Sequence, residues 1–411
     1  MHVTRLALTN FRNYPECSAD ISAGRTILIG ENAQGKTNFL EAIELISTGK
    51  ASRASCELDL IKEGCDYMKV ELSFTARGSD ETITLVVRKA PKEKRRTVEK
   101  QLQINGLTQS STRGLRGRLV AVSFKSEDLY LLRGGPKNRR EWIDTILETL
   151  RPAYRDLSSN YQKVVTQRNR LLKSIAEKGR ITVTDQDQMK VWDIQLARFG
   201  AAIIRQRIDL LGELLPAAEK YQQHISGQRE SLNVEYKLSA QEKSSPDELD
   251  DSQEEEGQMT VPLDQMRQPD EQVLVQSLLR ILREKRGEEI ARKQTVVGPH
   301  RDDIELTLNG RSAVDFASQG QQRSLVLALK LAELERVSQM LTEPPVLLLD
   351  DVLAELDLGR QGLLMSLVGE TMQTLITTTH VDGFRPEWLA GAQFLHVQNG
   401  TVVPSQQPCA V

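Results

Sequence analysis

The chain changes its hydrophobic rhythm twice. Over roughly the first 125 residues apolar and polar positions alternate in short runs, the period of half-buried strands. The alternation predicts strands at 68–75, 82–88, 101–105 and 119–124, with turn signals at Gly78-Ser79-Asp80 and Asn105-Gly106. Ahead of these, the apolar run RTILIG at 25–30 closes on glycine, and Phe39, Ile43 and Ile46 mark one face of a helix at 38–47. From Lys137 to Ile175 the period lengthens. Trp142, Ile146, Leu150, Tyr154, Leu157, Tyr161, Val164, Leu171 and Ile175 fall mostly three or four apart, the stripe of an amphipathic helix. Pro152 interrupts that stripe and is expected to open a second helix, since a first turn does not use the missing N–H. Further helices are expected at 188–215 and 271–291. The C-terminal part returns to α/β patterning. It shows a hairpin at 303–315 turning at Asn309-Gly310, a helix at 324–337 and a buried strand at 346–350. A helix at 359–369, a strand at 373–379 and a final hairpin turning at Asn399-Gly400 complete it. The simplest architecture is an α/β unit, 1–125 and 295–411, split by a helical insert at 126–294.

Composition narrows the classes. With 411 residues, 39% hydrophobic and 27% charged, the chain can bury a sizeable core. No apolar run approaches the ~20 residues of a membrane span, and Met1 leads directly into strand-like sequence, so a cytoplasmic protein without a membrane partner is expected. Cys17, Cys56, Cys65 and Cys409 lack metal-ligand spacing and are expected to be reduced thiols. A net charge of -3 does not by itself point to nucleic acid. The charge is uneven, however. Residues 242–256 carry a net -7, which leaves +4 on the rest of the chain. That stretch has few apolar residues and reads as a disordered loop near 240–265. Basic residues gather in Lys89–Lys100, including Lys92, Lys94, Arg95 and Arg96, and again at Arg133, Lys137, Arg139 and Arg140. Each cluster alone reads equally well as solvated surface.

The chemistry starts at Gly30-Glu31-Asn32-Ala33-Gln34-Gly35-Lys36-Thr37, which fits G-x-x-x-x-G-K-[ST] between a strand and a helix. The glycines let backbone N–H groups turn toward phosphates at a helix N-terminus. Lys36 is expected to reach the β- and γ-phosphates and the Thr37 hydroxyl to hold Mg²⁺. A glycine-rich turn without a ligand is the plainer reading, but strand, spacing, Lys-Thr and helix all agree. A Mg²⁺ site needs a second anchor. The apolar strand Val346–Leu349 delivers Asp350 as that ligand, and Asp351 follows as the group facing the attacking water. Adjacent carboxylates repel unless a cation is near.

Ser318-Gln319-Gly320-Gln321-Gln322-Arg323 opens a helix and is a third anion-binding candidate, though alone it is also an ordinary capped helix. Placed before the Asp350-Asp351 strand, it resembles the signature motif of ABC-type ATPases. Ala354-Glu355-Leu356-Asp357 then resembles the D-loop, and Thr378-Thr379-His380 the switch-histidine region, although a histidine after a strand is also a common surface residue. Lys36 and Ser318 are 282 positions apart, too far for a transporter ATPase. The insert's helices, read as ~25 residues or about 37 Å each, are too short for the coiled coil of an SMC-type head.

The chain closely resembles the RecF family of bacterial replication and repair proteins over almost its whole length. The resemblance rests on Leu8-Thr9-Asn10-Phe11-Arg12-Asn13-Tyr14, the phosphate loop through Asn38, Ser126-Glu127-Asp128-Leu129 and Gly134-Gly135-Pro136-Lys137-Asn138-Arg139-Arg140. It continues through Gln167-Arg168-Asn169, Trp192-Asp193, the run Thr295 to Asp303 with Gly298-Pro299-His300-Arg301, the signature, and Leu349-Asp350-Asp351-Val352. Two departures are Lys125-Ser126, where the family often has proline, and the acidic 242–256 segment. The resemblance implies an ABC-type, SMC-head-like α/β P-loop ATPase with a short inserted helical arm. It implies ATP and Mg²⁺ as cofactors, with Arg12 and Asn38 added to the nucleotide site. It further implies an ATP-dependent homodimer in which Ser318 and Gly320 meet the partner copy's nucleotide while Lys36, Thr37, Asp350 and Asp351 act in cis, with Gln321 and His380 as further catalytic candidates. Gapped or junction DNA, recombinase loading with RecR and RecO, and the SOS response are implied partners and roles, with slow, DNA-stimulated ATP hydrolysis as a switch. A transporter ATPase subunit and an SMC-like DNA-end-binding head are the alternatives.

Overall fold

The computed structural model describes residues 1–51, 53, 54, 56–90, 98–115, 117–239, 261, 262, 270–369 and 371–405. Lys92, Lys94, Arg95 and Arg96, the acidic 242–256 stretch and Cys409 lie outside these residues. Packing divides the described residues into two units, Met1–Asp128 with Glu333–Val411, and Leu129–Ala332.

In the first unit the chain runs through β1 (His2–Phe11), β2 (Tyr14–Asp20), β3 (Arg25–Ile29), α1 (Lys36–Thr48), β4 (Tyr67–Ala76), β5 (Ser79–Lys89), β6 (Val98–Ile104), β7 (Leu107–Gln109) and β8 (Ala121–Lys125). The second unit holds α2 (Tyr130–Arg133), α3 (Pro136–Leu150), α4 (Pro152–Lys178), α5 (Val183–Ser226), β9 (Leu232–Lys237), β10 (Val261–Pro262), α6 (Glu271–Glu284), α7 (Arg286–Arg292), β11 (Asp303–Leu308), β12 (Arg311–Ser312) and α8 (Ala313–Phe316). It includes the start of α9 (Gln319–Met340). The chain then adds β13 (Val346–Asp350), α10 (Leu358–Val368), β14 (Thr374–Thr378), α11 (Pro386–Leu389), β15 (Gln393–Gln398) and β16 (Thr401–Ser405) to the first unit.

Two six-stranded sheets build the first unit. One, ordered β2-β1-β4-β5-β6-β7, is antiparallel, and β4 alternates buried and half-buried residues along most of its length. That is the sequence alternation made physical: one face meets the core and the other meets water. The other, ordered β16-β15-β3-β14-β13-β8, is parallel except for β16. β13 and β14 are buried at every residue, as continuous apolar runs in a parallel sheet must be. Phe39, Ile43 and Ile46 of α1 join Leu6, Leu8 and Val70 of the first sheet and Leu28, Leu348 and Leu375 of the second in one core. At about 25 cal/mol per Å² of apolar surface removed from water, this core is the main stabilising term of the unit.

Short turns set the strand pairings. Arg77-Gly78, Asn105-Gly106, Asn309-Gly310 and Asn399-Gly400 all have positive φ at both positions, the two-residue turn whose twist suits a hairpin. The β4–β5 turn is thus Arg77-Gly78, with Ala76 opposite Ser79, rather than Gly78-Ser79-Asp80.

The helical unit departs from its sequence reading in extent. α5 covers 44 residues instead of the expected 188–215, about 66 Å at 1.5 Å per residue. Its start is a capping box: Asp185 N–H donates to the Thr182 hydroxyl, and Thr182 N–H donates to the Asp185 carboxylate. It ends at Gly227, whose φ of 64° supplies the left-handed cap. The expected 271–291 helix is two helices meeting at Lys285. The insert also carries a four-stranded sheet, β10-β9-β11-β12, with β9 absent from the sequence reading. The hairpin expected at 303–315 closes after Ser312, because that residue caps α8 by accepting Asp315 N–H. Residues 295–332 pack with the insert, so the boundary between units lies at Ala332, past the expected 294.

Gly298, Pro299 and Asp302 are buried in this second unit, while Arg301 between them is exposed. Arg207 pairs with both Asp144 oxygens at 2.8 and 2.9 Å and donates to Pro299 O at 2.7 Å. Tyr236 donates to Asp302 Oδ2 at 2.9 Å. Arg168, fully buried, donates to Asp193, Thr295 and Glu289 at 2.9, 2.9 and 2.5 Å. Arg139 is buried against both oxygens of Asp303, so it is a structural cation and not part of a basic surface.

Candidate phosphate site and its family

β3 ends at Ile29, and the chain turns through Gly30–Gly35 into α1. Two of the loop's small residues are demanded by space. A Cβ on Gly30 would lie 2.2 Å from Val397 O. Gly35 has φ +117°, and a Cβ there would meet the Asn13 amide at 2.7 Å. Ala33 is left-handed at φ 64°. Alternation of this kind turns successive N–H groups inward as an anion nest. Glu31, Asn32 and Ala33 form the exposed crest, whereas Lys36 is 5% exposed.

Neighbouring turns brace the loop. The Tyr14 hydroxyl donates to Gly35 O at 2.9 Å, and Asn13 Nδ2 donates to Gln34 O at 2.9 Å. Asn38 Nδ2 donates to Asn13 Oδ1 at 2.9 Å. From the β15–β16 turn, Gly400 N–H donates to Gln34 O at 3.1 Å and Asn399 N–H to Gln34 Oε1 at 2.7 Å. Arg12, in a left-handed turn at φ 54°, holds Glu41 of α1 through two bonds of 2.9 and 2.7 Å and donates to Asp59 O at 2.9 Å. The family resemblance puts Arg12 and Asn38 at the nucleotide; in this structure both stabilise the loop's frame. Tyr14 and the Asn399-Gly400 turn escape a reading of the sequence as site residues, although the first stands in a motif and the second is a plain turn signal.

Lys36 Nζ donates to Gly30 O at 2.7 Å and Glu31 O at 2.9 Å, closing the loop on its own lysine. Burial lowers its pKa, while Asp351 and then Asp350 oppose that shift. Across the sheet, the Thr37 hydroxyl donates to Asp350 Oδ1 at 2.9 Å, and the Thr377 hydroxyl donates to the same oxygen at 2.7 Å. Burial raises the pKa of Asp351, with Lys36 opposing and Asp350 and Glu355 adding to the rise. Asp351 is left-handed at φ 58°, a conformation that costs about 1–2 kcal/mol for a residue with a Cβ. His380 is exposed, shares a 2.8 Å hydrogen bond between Nδ1 and the Thr379 hydroxyl, and contributes to the field at Asp351.

A hydroxyl and a carboxylate 2.9 Å apart at the mouth of a phosphate loop are hard oxygen donors suited to Mg²⁺. Among the described residues there is no cluster of three His, Cys, Asp or Glu side chains able to hold a metal.

The D-loop candidates lie beyond this site. Glu355 accepts from the Ser126 hydroxyl at 3.3 Å, and Asp357 caps α10 by accepting Arg360 N–H at 3.0 Å. The signature candidates belong to the other unit. Ser318 and Gln321 form a reciprocal cap on α9: Ser318 N–H donates to Gln321 Oε1 at 2.8 Å and Gln321 N–H to the Ser318 hydroxyl at 3.3 Å. Gln321 Nε2 donates to Glu230 at 2.9 Å, and Glu230 also accepts from the buried Gln222 at 2.5 Å. Gly320 leaves open space where a side chain would stand.

The family model for the RecF/RecN/SMC N terminal domain matches residues 2–393. The DNA replication and repair protein RecF of Synechococcus sp. (strain JA-3-3Ab) is 40% identical over 407 residues, covering 98% of each chain. A solved structure of the recombination mediator protein RecF-ATPrS in the RecFOR pathway superposes with a TM-score of 0.81 at 30% identity, covering 98% of each chain. The RecF-ATP structure of the same pathway gives 0.81 at 29% identity, covering 98% of this chain and 99% of that one. The fold is that of an ABC-type, SMC-like ATPase head, and among the described residues no helix is long and apolar enough to cross a membrane. Coverage of nearly the whole chain, by sequence and by structure alike, makes this protein a member of the RecF family.

Proposed function

We propose that this RecF-family chain is an ATP-dependent DNA-binding protein of replication and recombinational repair, in which nucleotide drives the pairing of two copies around DNA. The observation that carries the reading is the phosphate loop with Lys36 closed over it and Thr37 and Asp350 joined at its mouth. Lys36 would exchange its two carbonyl partners for phosphate oxygens. Thr37 and Asp350 would hold Mg²⁺, which supplies charge neutralisation of the triphosphate when bound. Asp351 would orient a water and accept its proton. Its side chain is one methylene shorter than the glutamate common in transporter ATPases, which favours slow turnover.

The second half-site would come from the partner copy. The Ser318 hydroxyl and the open backbone of Gly320, at the start of α9, would face an anion there. Gln321 serves this role indirectly, holding the turn through Ser318 and Glu230. Loss of the γ-phosphate would release the shared interactions and loosen the pair. DNA binding follows from family membership and from the basic Lys89–Lys100 sequence. Aromatic residues make up only 4% of the chain, so backbone tracking of duplex DNA is favoured over base stacking. Gapped or junction DNA, with RecR and RecO as partners in recombinase loading, is the substrate setting this reading adopts.

Sedimentation tests it. The wild-type chain with Mg-ATP should sediment as a dimer, and with ADP or no nucleotide as a protomer, with gapped duplex favouring the dimer. Asp351→Asn should keep the ATP-induced dimer while hydrolysis falls by about 10²-fold. A protomer under every nucleotide condition would overturn the pairing.

A further inference from the structure

Thr377 belongs to none of the nucleotide motifs, yet it touches both acidic residues of the site. It lies on β14, the strand between β3, which ends in the phosphate loop, and β13, which ends in Asp350. In register it stands opposite Asp350 on one side and Leu28 on the other. Its hydroxyl donates to Asp350 Oδ1 at 2.7 Å and accepts Asp351 N–H at 3.0 Å. A hydroxyl has one proton, so these two bonds together fix its rotor. Thr377 is 1% exposed and cannot trade either bond for water.

The two threonines on Asp350 Oδ1 are not equivalent. Thr37 lies in the first turn of α1, and its hydroxyl is the one that a bound cation would claim. Thr377 is held in the middle of a parallel sheet and stays where it is. We propose that Thr377 is a positioning residue, which aims the Asp350 carboxylate and holds the left-handed Asp351 backbone so that the site is already shaped when nucleotide and Mg²⁺ arrive. The inference rests on the ATP and Mg²⁺ reading of the site and adds to it a residue that acts through both acids. Groups that orient a metal ligand by hydrogen bonding commonly matter about 10–100-fold in metal affinity.

The test separates the hydroxyl from the packing. Thr377→Val keeps the branched shape and removes both hydrogen bonds; Thr377→Ser keeps the bonds and removes a methyl. The full chain is titrated with MgCl₂ while binding of a fluorescent ATP analogue is followed by anisotropy. Binding without Mg²⁺ and thermal melting are followed in parallel. Thr377→Val is expected to need about tenfold more Mg²⁺ for half-maximal enhancement, with Mg²⁺-free binding unchanged. Thr377→Ser should stay within about twofold of wild type, on the same scale. If the valine variant fails to fold, Thr377→Ala is the second hydroxyl-free chain and should show the same shift. A wild-type Mg²⁺ response in the hydroxyl-free variants, or an equal loss in the serine variant, overturns the inference and leaves the ATP reading standing. A wild-type chain whose nucleotide binding ignores Mg²⁺ overturns both.

Discussion

The Thr37 hydroxyl donates to Asp350 Oδ1 at 2.9 Å, although 313 positions separate the two residues. Each stands at the C-terminal edge of a parallel sheet, Thr37 in the first turn of α1 and Asp350 as the last residue of β13. The rule that ligands sit beyond the carboxyl ends of parallel strands is here one hydrogen bond.

Lys36 closes the loop by donating to Gly30 O and Glu31 O. Arginine would present a planar fork where the site holds a compact point charge. Lys36→Arg should retain nucleotide binding while single-turnover hydrolysis falls about 10²-fold, the usual cost of misplacing a charge that stabilises a transition state. Normal single-turnover hydrolysis would displace the phosphate site from this loop.

Arg168 uses Nε, Nη1 and Nη2 on three different partners, Asp193, Thr295 and Glu289. Removing it would strand a buried Glu289 carboxylate without its cation. Arg168→Ala should cost about 3–5 kcal/mol of stability, read as a lowered denaturation midpoint. Arg168→Lys should recover little, because one ammonium cannot reach three diverging partners. Full recovery by lysine would show that only the charge matters.

His300 accepts the Tyr161 hydroxyl at Nδ1, 2.6 Å away, and donates from Nε2 to Thr295 O at 3.2 Å. A protonated ring could not accept from Tyr161. Burial, with the charges of Arg301, Arg140 and Arg168, lowers its pKa from 6.5 to about 4, against the opposing pull of Thr295 O. As pH falls below 6.5 the unfolded chain binds a proton that the folded chain refuses. Stability that is present above 6.5 is therefore lost on the way to pH 4, by up to about 3 kcal/mol. Melting temperatures across this range should fall less steeply in His300→Gln than in wild type. Parallel curves would assign the acid sensitivity to other groups.

Lys94, Arg95 and Arg96 stand together in the basic sequence between β5 and β6. Replacing all three by glutamine should weaken duplex binding and reduce the slope of log K against log salt by about 2–3, near 0.9 for each phosphate that is no longer neutralised. Unchanged affinity and slope would move the DNA-binding surface to another part of the chain.

The phosphate loop and the Asp350 strand are legible in the sequence because each is a contiguous motif. A run of eight residues from Gly30 to Thr37 specifies a turn, a charge and a hydroxyl. Val346–Asp350 is apolar up to its final aspartate because both faces of its strand are covered. The antiparallel strands of the first sheet are legible for a related reason: neighbours in sequence pair in space, and a two-residue turn sets their register. Arg12 and Asn38 show the limit. Their place in a motif marks them as candidates, but their partners Glu41 and Asn13 emerge only when β1, β2 and α1 come together.

The order β3-β14-β13 cannot be read from any window of the chain, since β3 comes from one end of it and β14 and β13 from the other. That order puts Thr377 beside Asp350, turning a buried strand threonine into part of the site. Residue types and spacing marked Lys36, Thr37 and Asp350 as candidates for a triphosphate site. Their distances, their shared protons and the brace from Tyr14 and Asn399 came from long-range packing, because hydrogen bonds depend on positions in space and local sequence specifies only the short segments that carry them.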